Sequence, residues 1–239
     1  MPEEISPFIV ICAKSFFLGI IQGLTEFLPI SSTAHLRVLP HLFGWNDPGV
    51  SLSASLQLGS AVAIIYYFRS QIILIVDSFS SIFKKRNVLN NQNSTLSAYI
   101  FIASIPIFIL GLIIKLYVPN YSDSNFRGLV SIAITSIIMG TLLALSEIYG
   151  NGKKLFKDIN LIDIIFLGFA QSLAIFPGVS RSGITLTSAL FSGIERKTAA
   201  RLSFLVGIPA ITISGIVELL TLVGGLSVID LIPIIIGIK

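Results

Sequence analysis

Charged side chains are scarce in this sequence. Asp, Glu, Lys and Arg make up 12% of its 239 residues, whereas about 25% is usual in a soluble domain. Hydrophobic residues make up 54%, and this composition predicts a membrane protein. Cysteine is almost lacking too. Because Cys12 is the only one, an intrachain disulfide, a thiolate metal site and a redox cysteine pair are all excluded.

Long apolar runs are present instead. Residues 128–146 form an uncharged run of 19, and residues 98–118 form a run of 21 interrupted only by Pro106 and Lys115. A hydrocarbon core about 30 Å thick is crossed by about 20 helical residues. The runs are continuously apolar, which disfavours the alternating strands of a membrane barrel. We predict seven or eight membrane-embedded helices, the further candidates being 8–28, 51–68, 72–83, 161–176 and 203–223.

The basic residues are concentrated in short loops between the apolar runs. Three follow one another at 84–86, and three lysines lie within 153–157. The positive-inside rule places both loops in the cytoplasm, so we attribute the net charge of +4 to orientation in the membrane rather than to nucleic-acid binding. Two crossings lie between these loops, which leaves 119–127 outside. The next segment then runs outward and places 177–182 past the midplane, towards the outer face.

The chain contains an internal repeat. FLGIIQGL, from Phe17, returns as FLGFAQSL from Phe166, 149 residues later, and Ser31 and Ser180 have the same offset. SLQLGSAVAI and SFLVGIPAI extend the similarity with a shift of 148. We therefore predict a single membrane domain, 1–239, built from two similar copies at about 1–118 and about 128–239.

Each copy contains a helix-breaking proline followed at once by hydroxyl residues. The breaks are 28–30, Leu-Pro-Ile, and 176–178, Phe-Pro-Gly. Membrane folds with internal repeats often place their sites where broken helices of the two repeats meet. We therefore expect the functional residues at these two breaks.

The first break predicts acid/base chemistry. Glu26 follows Gln22 by four positions, so both side chains project from one helix face. A carboxylate in a membrane is costly and usually lines a water-filled cavity or a proton path, and His35 is suited to proton transfer near neutral pH. The alternatives are that Glu26 only reaches the membrane interface and that His35 is structural. Hydroxyls accompany them at Ser31, Ser32 and Thr33.

The second break, PGVSRSGIT, predicts phosphate binding. Arg181 carries a planar fork that matches phosphate oxygens, and a turn whose amides precede a helix makes an anion cradle. The alternative is an interfacial arginine that binds lipid phosphates. Together the two breaks predict phosphoryl chemistry on a lipid. The other candidate phosphate-binding residues are Gly178, Ser180, Ser182 and Thr185.

QGLTEFLPISSTAH followed by PGVSRSG resembles the undecaprenyl-diphosphate phosphatase family, known also for bacitracin resistance. The resemblance covers essentially the whole chain. It implies an all-α polytopic membrane protein with two inverted repeats, each with a re-entrant helix pair. The implied activity is hydrolysis of the diphosphate of a C55 polyprenyl carrier at the outer side of the bacterial cytoplasmic membrane, which recycles the carrier for peptidoglycan synthesis. The family's dependence on a divalent cation implies Mg²⁺ or Ca²⁺.

The resemblance also implies roles for the residues at the breaks. Glu26 and His35 would be the acid/base or metal-organising pair, with Ser32 close to the scissile phosphate. Arg181 would bind the diphosphate, supported by the hydroxyls of its own break. The attacking group remains open between a serine, the histidine and a water. Gln22 stands where many members have glutamate, so it offers a metal ion an amide oxygen but no base.

The chain departs from the family pattern at its end, where only eight apolar residues, 231–238, precede Lys239. Family members usually continue for one or two helices, so we expect stability or activity to be impaired if those helices pack on the second repeat.

Two rival functions are a transporter or flippase for the lipid carrier and a noncatalytic scaffold. A homodimer is left open. Specificity for the prenyl tail would come from apolar grooves such as those lined by Phe16, Phe17 and Phe27, the alternative being that these are ordinary core or lipid-facing residues.

Overall fold

The protein is helical, as predicted. The computed structural model describes residues 2–47, 49–83, 92–118, 121, 124–223 and 228–238. Regular structure there consists of ten α-helices and short 3-10 turns, apart from one isolated parallel bridge between Lys154 and Ile194. That bridge joins the loop before the seventh helix to the loop between the eighth and ninth helices. The basic run at 84–86 lies outside the described residues.

The first copy of the repeat contains five of these helices. In chain order they are α1 Pro2–Phe27, α2 Ser32–Leu42, α3 Gly49–Tyr67, α4 Arg69–Phe83 and α5 Gln92–Tyr117.

The other five helices follow a 3-10 turn at Asn125–Arg127. A further 3-10 turn, Leu173–Ile175, prolongs the second of them up to the second break. In chain order the helices are α6 Leu129–Tyr149, α7 Leu161–Ser172, α8 Arg181–Phe191, α9 Arg196–Val223 and α10 Val228–Ile238.

Several helices are long and apolar enough to cross a membrane, which confirms a multi-pass membrane protein. Within the described residues there are four such helices, and a fifth span is possible if α3 and α4, bent by 83° at their junction, count as one. Six of the seven apolar runs named above lie on one α-helix to within a residue, and the seventh, 161–176, continues from α7 into a 3-10 turn. However, α7 has only 12 residues, so it falls short of the about 20 that a crossing needs. The four long helices are Pro7–Phe27, Ser94–Tyr117, Leu129–Tyr149 and Arg196–Val223.

Two short helices that apolar runs did not predict follow the two breaks. Both α2 and α8 have 11 residues, and their hydroxyl, glycine and basic residues keep them from forming apolar runs. Each begins at a serine cap: the Ser31 hydroxyl accepts from the Ala34 amide at 3.3 Å, and the Ser180 hydroxyl accepts from the Gly183 amide at 3.1 Å. Each short helix packs on the helix before its break. Both copies thus contain a helix pair joined at a proline break, whereas their mutual inversion stays a prediction.

Equivalent glycines show how the two copies are joined. A Cβ on Gly19 in α1 would lie 2.9 Å from the carbonyl carbon of Gly237 in α10, and one on Gly168 in α7 would lie 2.9 Å from the Cα of Ala103 in α5. Therefore α1 of the first copy packs closely on α10, the last helix of the second copy, and α7 of the second copy packs closely on α5, the last helix of the first. The run 231–238, too short to cross a membrane, belongs to α10 and is held against α1 and α3.

Among the described residues, the largest buried apolar cluster lies between α5, α7, α8 and α9. Ile164 and Leu167 of α7 are fully buried there, beside Ala103 of α5 and Val206 of α9. Within a membrane, where lipid tails are as apolar as these side chains, helices are held together by close van der Waals packing. This cluster holds α8 against α9, and so it fixes the helix that starts at the second break.

Candidate active site

The carboxylate of Glu26 lies at the centre of the candidate site. Glu26 is in the last turn of α1, only 7% exposed, and it accepts hydrogen bonds from three side chains. Gln22 Nε2 and Ser32 Oγ donate to its Oε2 at 2.8 and 2.6 Å, and Arg181 Nη2 donates to its Oε1 at 2.5 Å. The spacing of four predicted the Gln22 contact correctly. A buried carboxylate is tolerated only with such partners.

Arg181 joins the second break to the first. It is the first residue of α8 and its side chain is 10% exposed, while Glu26, its ion-pair partner, lies 155 positions earlier. Removing one partner of a buried ion pair typically costs about 3–5 kcal/mol. Within the described part of the chain, Arg181 Nη1 is buried and has no hydrogen-bond partner. The guanidinium therefore keeps a donor that an anionic ligand could use.

The start of α8 also contacts the backbone of the first break. The Ser182 hydroxyl lies within hydrogen-bonding distance of the carbonyl oxygens of Glu26 and Leu28, at 3.3 and 3.5 Å. A Cβ on Gly183, the next residue, would lie 3.3 Å from the carbonyl oxygen of Pro29. The first turn of α8 thus lies against the first break, and residues from both copies form one site.

Ser31 holds the first break in an uncommon conformation. Its φ is 66°, and it is the one non-glycine residue with positive φ in the described chain. Such a conformation costs about 1–2 kcal/mol in an L-residue, and strain of this kind often accompanies functional sites. The equivalent Ser180 has a φ of −71°. The Ser31 hydroxyl lies 3.1 Å from that of Thr33.

His35 lies in the first turn of α2 and is partly exposed. Its Nδ1 is 2.8 Å from the carbonyl oxygen of Ser31. Because a carbonyl can only accept, we assign a proton to Nδ1, which leaves Nε2 of the neutral ring able to take another. In the described structure the hydrogen bonds of His35 go to the backbone of the break and not to Glu26.

The remaining predicted residues shape the second break. The hydroxyl of Ser180 lies 3.2 Å from that of Ser182. Thr185 is fully buried, and its hydroxyl donates to the Arg181 carbonyl at 2.8 Å. Gly178 has a φ of 93°, and a Cβ there would lie 2.9 Å from the Ile132 carbonyl oxygen of α6. These contacts hold the turn from which Arg181 projects.

The predicted residues therefore fall into two groups. Five side chains meet at the junction of the breaks: Gln22, Glu26, Ser32, Arg181 and Ser182. The other six hold the backbone around it: Ser31, Thr33, His35, Gly178, Ser180 and Thr185. Their functional roles remain predictions.

Sequence reasoning missed two residues of α9 that contact the second break. The Ser203 hydroxyl lies 2.6 Å from that of Thr185, and Gly207 lies against the Arg181 guanidinium. Both fall within SFLVGIPAI, the segment that the repeat had already aligned with the first copy. The repeat was the signal that could have identified them.

A tyrosine from the loop between α5 and α6 holds the residue before the second break. The Tyr121 hydroxyl donates to the carbonyl oxygen of Ile175 at 2.8 Å. Burial raises the pKa of Tyr121, although the charge of Arg127 acts in the opposite direction. The phenol therefore stays protonated, as a donor must be.

The donors around Glu26 suit a hard cation. Gln22 Nε2 points to Glu26, and in the described structure the buried Gln22 Oε1 has no hydrogen-bond partner. Rotation of the amide that turned this oxygen towards Glu26 would place it with the Glu26 carboxylate and the Ser32 hydroxyl, and oxygen ligands of these kinds are those that Mg²⁺ and Ca²⁺ prefer. Among the described residues, no three or more His, Cys, Asp or Glu side chains are grouped so that they could hold a metal ion. These oxygens fit a cation whose remaining ligands are water or phosphate.

An apolar cavity begins one residue beyond Glu26. It has a volume of about 790 Å³ and is lined by Phe27, Phe68 and Phe204, with Lys197 and Arg201 among its other lining residues. The rings of Phe27 and Phe204 pack edge to face with centroids 6.3 Å apart. A volume of this size is typical of small-molecule sites, which span about 300–1,000 Å³.

The other two phenylalanines proposed for a tail groove do not line this cavity. Phe17 packs edge-on against Phe43 and Trp45, with both centroid distances 5.9 Å. Phe16 is 57% exposed on the outside of α1, as expected for a side chain facing lipid.

Comparison with known proteins gives a consistent result. The family described as "Bacitracin resistance protein BacA" matches residues 15–238. An undecaprenyl-diphosphatase of Prochlorococcus marinus (strain NATL1A) is 75% identical over 238 residues, covering 100% of this chain and 85% of the relative. An undecaprenyl-diphosphatase of Synechococcus sp. (strain CC9311) is 47% identical over 227 residues, covering 95% of this chain and 80% of the relative.

Proposed function

Since the chain belongs to the bacitracin resistance protein BacA family, we infer that it hydrolyses undecaprenyl diphosphate to undecaprenyl phosphate and inorganic phosphate. One structural observation carries the chemistry. The Glu26 carboxylate has the Ser32 hydroxyl at 2.6 Å and the Arg181 guanidinium at 2.5 Å. A base, a hydroxyl and a cation at one point are the groups that phosphoryl transfer needs.

Arg181 is proposed to bind the diphosphate. Its Nη1 is buried without a partner among the described residues, and a guanidinium binds phosphate oxygens with two parallel hydrogen bonds. In phosphoryl transfer most of the catalysis comes from positioning and charge stabilisation. Arg181 would therefore serve both binding and the transition state.

Ser32 and Glu26 are proposed to act on the terminal phosphorus. Ser32 Oγ forms a bond to that phosphorus while its proton passes to Glu26, and the bond to the bridging oxygen breaks to release undecaprenyl phosphate. Glu26 then loses that proton to solvent. A water attacks the phosphoserine and gives a proton to Glu26, the bond between phosphorus and Ser32 Oγ breaks, and Ser32 Oγ takes this proton back from Glu26 as hydrogen phosphate leaves. In the alternative, a water held by Glu26 attacks directly. His35 Nε2 is proposed to transfer protons to the departing oxygen.

A divalent cation is proposed as a cofactor, held by Gln22, Glu26 and Ser32. When bound, it would neutralise charge on the phosphate oxygens. The oxygen donor set and the orphaned Gln22 Oε1 support this proposal.

The cavity beside Phe27 is proposed to receive part of the prenyl tail, because it is apolar and its lining residue Phe27 follows Glu26 in the chain. The active site is proposed to face the outer side of the cytoplasmic membrane, which rests on the basic loops at 84–86 and 153–157. Recycling of the lipid carrier would support peptidoglycan synthesis and bacitracin resistance. A homodimer stays a prediction, to be tested by the mass of the detergent-purified protein.

The test is phosphate release from undecaprenyl diphosphate by detergent-purified protein, with and without Mg²⁺ or Ca²⁺. We expect Glu26→Gln and Arg181→Ala each to lower the rate at least about a hundredfold, since a general base contributes about 10²–10⁴ in rate and a charge-stabilising donor about 10²–10³. The matched controls are Glu147→Gln and Arg196→Ala, which remove members of a partly exposed ion pair with 3.3 Å between Arg196 Nε and Glu147 Oε1. Both should stay within about twofold, because exposed pairs contribute little.

The same assay separates the rival functions. Transfer of labelled phosphate to Ser32, trapped by acid quench, would support the serine route, and its absence during turnover would favour direct attack by water. Movement of the lipid across vesicles without phosphate release would point to a transporter. Loss of release in the control variants as well as in the site variants would contradict the site named here.

A further inference from the structure

The guanidinium of Arg181 occupies the space that a side chain on Gly207 would need. A Cβ built on Gly207 would overlap Arg181 Nη1 and would lie only 2.7 Å from Cζ. Real Cβ atoms essentially never approach a heavy atom so closely, since interiors are close-packed without overlap. The Nη2 of this guanidinium is the atom that donates to Glu26 at 2.5 Å. Glycine at 207 therefore allows Arg181 to reach Glu26 in the observed position.

The same helix also holds the backbone from which Arg181 projects. Ser203 lies one turn before Gly207 in α9 and is buried. Its hydroxyl donates to the Ser182 carbonyl oxygen at 3.1 Å and lies 2.6 Å from the Thr185 hydroxyl. Residues four apart in a helix share a face, so Ser203 and Gly207 together contact the first turn of α8. Ser203 holds the backbone of α8 at Ser182, and Gly207 leaves room for the Arg181 side chain.

The first copy of the repeat uses the equivalent glycine differently. Gly59 lies 148 positions before Gly207, and a Cβ there would overlap the backbone carbonyl oxygen of Ile238 in α10. Glycine inside a helix costs about 1 kcal/mol relative to alanine. At Gly59 the missing side chain allows two helices to approach, whereas at Gly207 it admits a charged side chain of the site.

We propose that Gly207 and Ser203 of α9 are positioning residues for the phosphate-binding arginine. They set where the Arg181 guanidinium lies relative to Glu26, and through it the orientation of the bound diphosphate. This inference rests on the proposed function. The residues act through Arg181 and not by contact with substrate, so their effect depends on the side chain at 181.

The test is a double-mutant cycle in the phosphate-release assay. Gly207→Ala should lower kcat at least about tenfold, since misplacement of a catalytic group by about 1 Å can cost about a hundredfold. In the Arg181→Lys background, where the planar fork is absent, Gly207→Ala should change kcat less than about twofold. Ser203→Ala should show the same dependence on residue 181. Gly140→Ala is the matched control, because it lies in α6 with no heavy atom within 4 Å of the added Cβ among the described residues.

A structural readout keeps this inference separable from the proposed function. Thermal unfolding in detergent should show a lower midpoint for Gly207→Ala with Arg181 present, and no such drop in the Arg181→Lys background. An equal loss of kcat in both backgrounds, or no loss with Arg181 present, would overturn the positioning role. If wild type releases no phosphate, the proposed function fails. The unfolding comparison then decides by itself whether Arg181 occupies the Gly207 space.

Discussion

Gly19 of α1 and Gly237 of α10 meet across the two copies of the repeat: a Cβ on Gly19 would lie 3.0 Å from the Cα of Gly237 and would overlap its carbonyl oxygen. The contact joins the beginning of the chain to its end. It also lies in the helix that carries Gln22 and Glu26, so the position of the site depends on how α1 packs.

This contact predicts that Gly19→Ala destabilises the protein. Overpacking of a close contact costs about 1–3 kcal/mol, so the midpoint of thermal unfolding in detergent should fall. Gly23→Ala is the matched control in the same helix, because no heavy atom of the described chain lies within 4 Å of its added Cβ. Its midpoint should be unchanged or slightly higher, since alanine favours helix. Equal midpoints for the two variants would contradict the packing described here.

The positive φ of Ser31 predicts a trade of activity for stability. In Ser31→Gly the strain of a φ of 66° is relieved, and glycine as a helix cap loses only a few tenths of a kcal/mol. The unfolding midpoint should therefore stay the same or rise, while phosphate release falls because the break no longer holds Ser32 firmly against Glu26.

Ser180→Gly is the control for Ser31→Gly. Ser180 caps α8 with a φ of −71°, a value that gives glycine no advantage. Its midpoint should fall. A fall of the same size in Ser31→Gly would show that the strain at Ser31 contributes nothing to stability.

The orphaned oxygen of Gln22 predicts how the cation requirement would change. Gln22→Glu places a second carboxylate next to Glu26, and ligand charge strengthens the binding of hard cations. The Mg²⁺ or Ca²⁺ concentration for half-maximal phosphate release should fall at least about threefold, because the added charge must be neutralised.

Gln171→Glu is the matched change in the other copy. Gln171 Nε2 donates to the Ala103 carbonyl at 3.3 Å, so glutamate there loses a donor and should lower the unfolding midpoint without changing the cation response. A cation response that is the same in Gln22→Glu and wild type would place the cation elsewhere.

The positive-inside assignment predicts which loops a membrane-impermeant maleimide can reach. In a Cys12→Ala background, Asn125→Cys should be labelled from outside intact cells, and Lys153→Cys only after permeabilisation. Both residues are exposed. Near Asn125, Arg127 Nη2 forms an ion pair with Asp47 Oδ2 at 3.5 Å. The reverse pattern of labelling would move the active site to the cytoplasmic side.

Much of the fold was predictable because it depends on local composition. Continuous apolar runs indicate helices, because a backbone surrounded by lipid must form its hydrogen bonds within its own segment. The length of α7 and the existence of α2 and α8 were harder, since short helices with hydroxyls and glycines resemble loops in sequence. Their serine caps at Ser31 and Ser180 were the visible signals.

Within the site, the sequence by itself determined what lies a few residues apart. The spacing of four places Gln22 and Glu26 on one face, and a serine beside each break caps the helix that follows. Tertiary structure alone decided that Arg181 reaches Glu26, that Gly207 leaves space for its guanidinium and that Ser31 has a positive φ. Helical geometry tells from sequence alone which side chains within about one turn are neighbours. Contacts across 155 positions arise only when the helices of both copies pack, because packing decides which distant side chains share the same space.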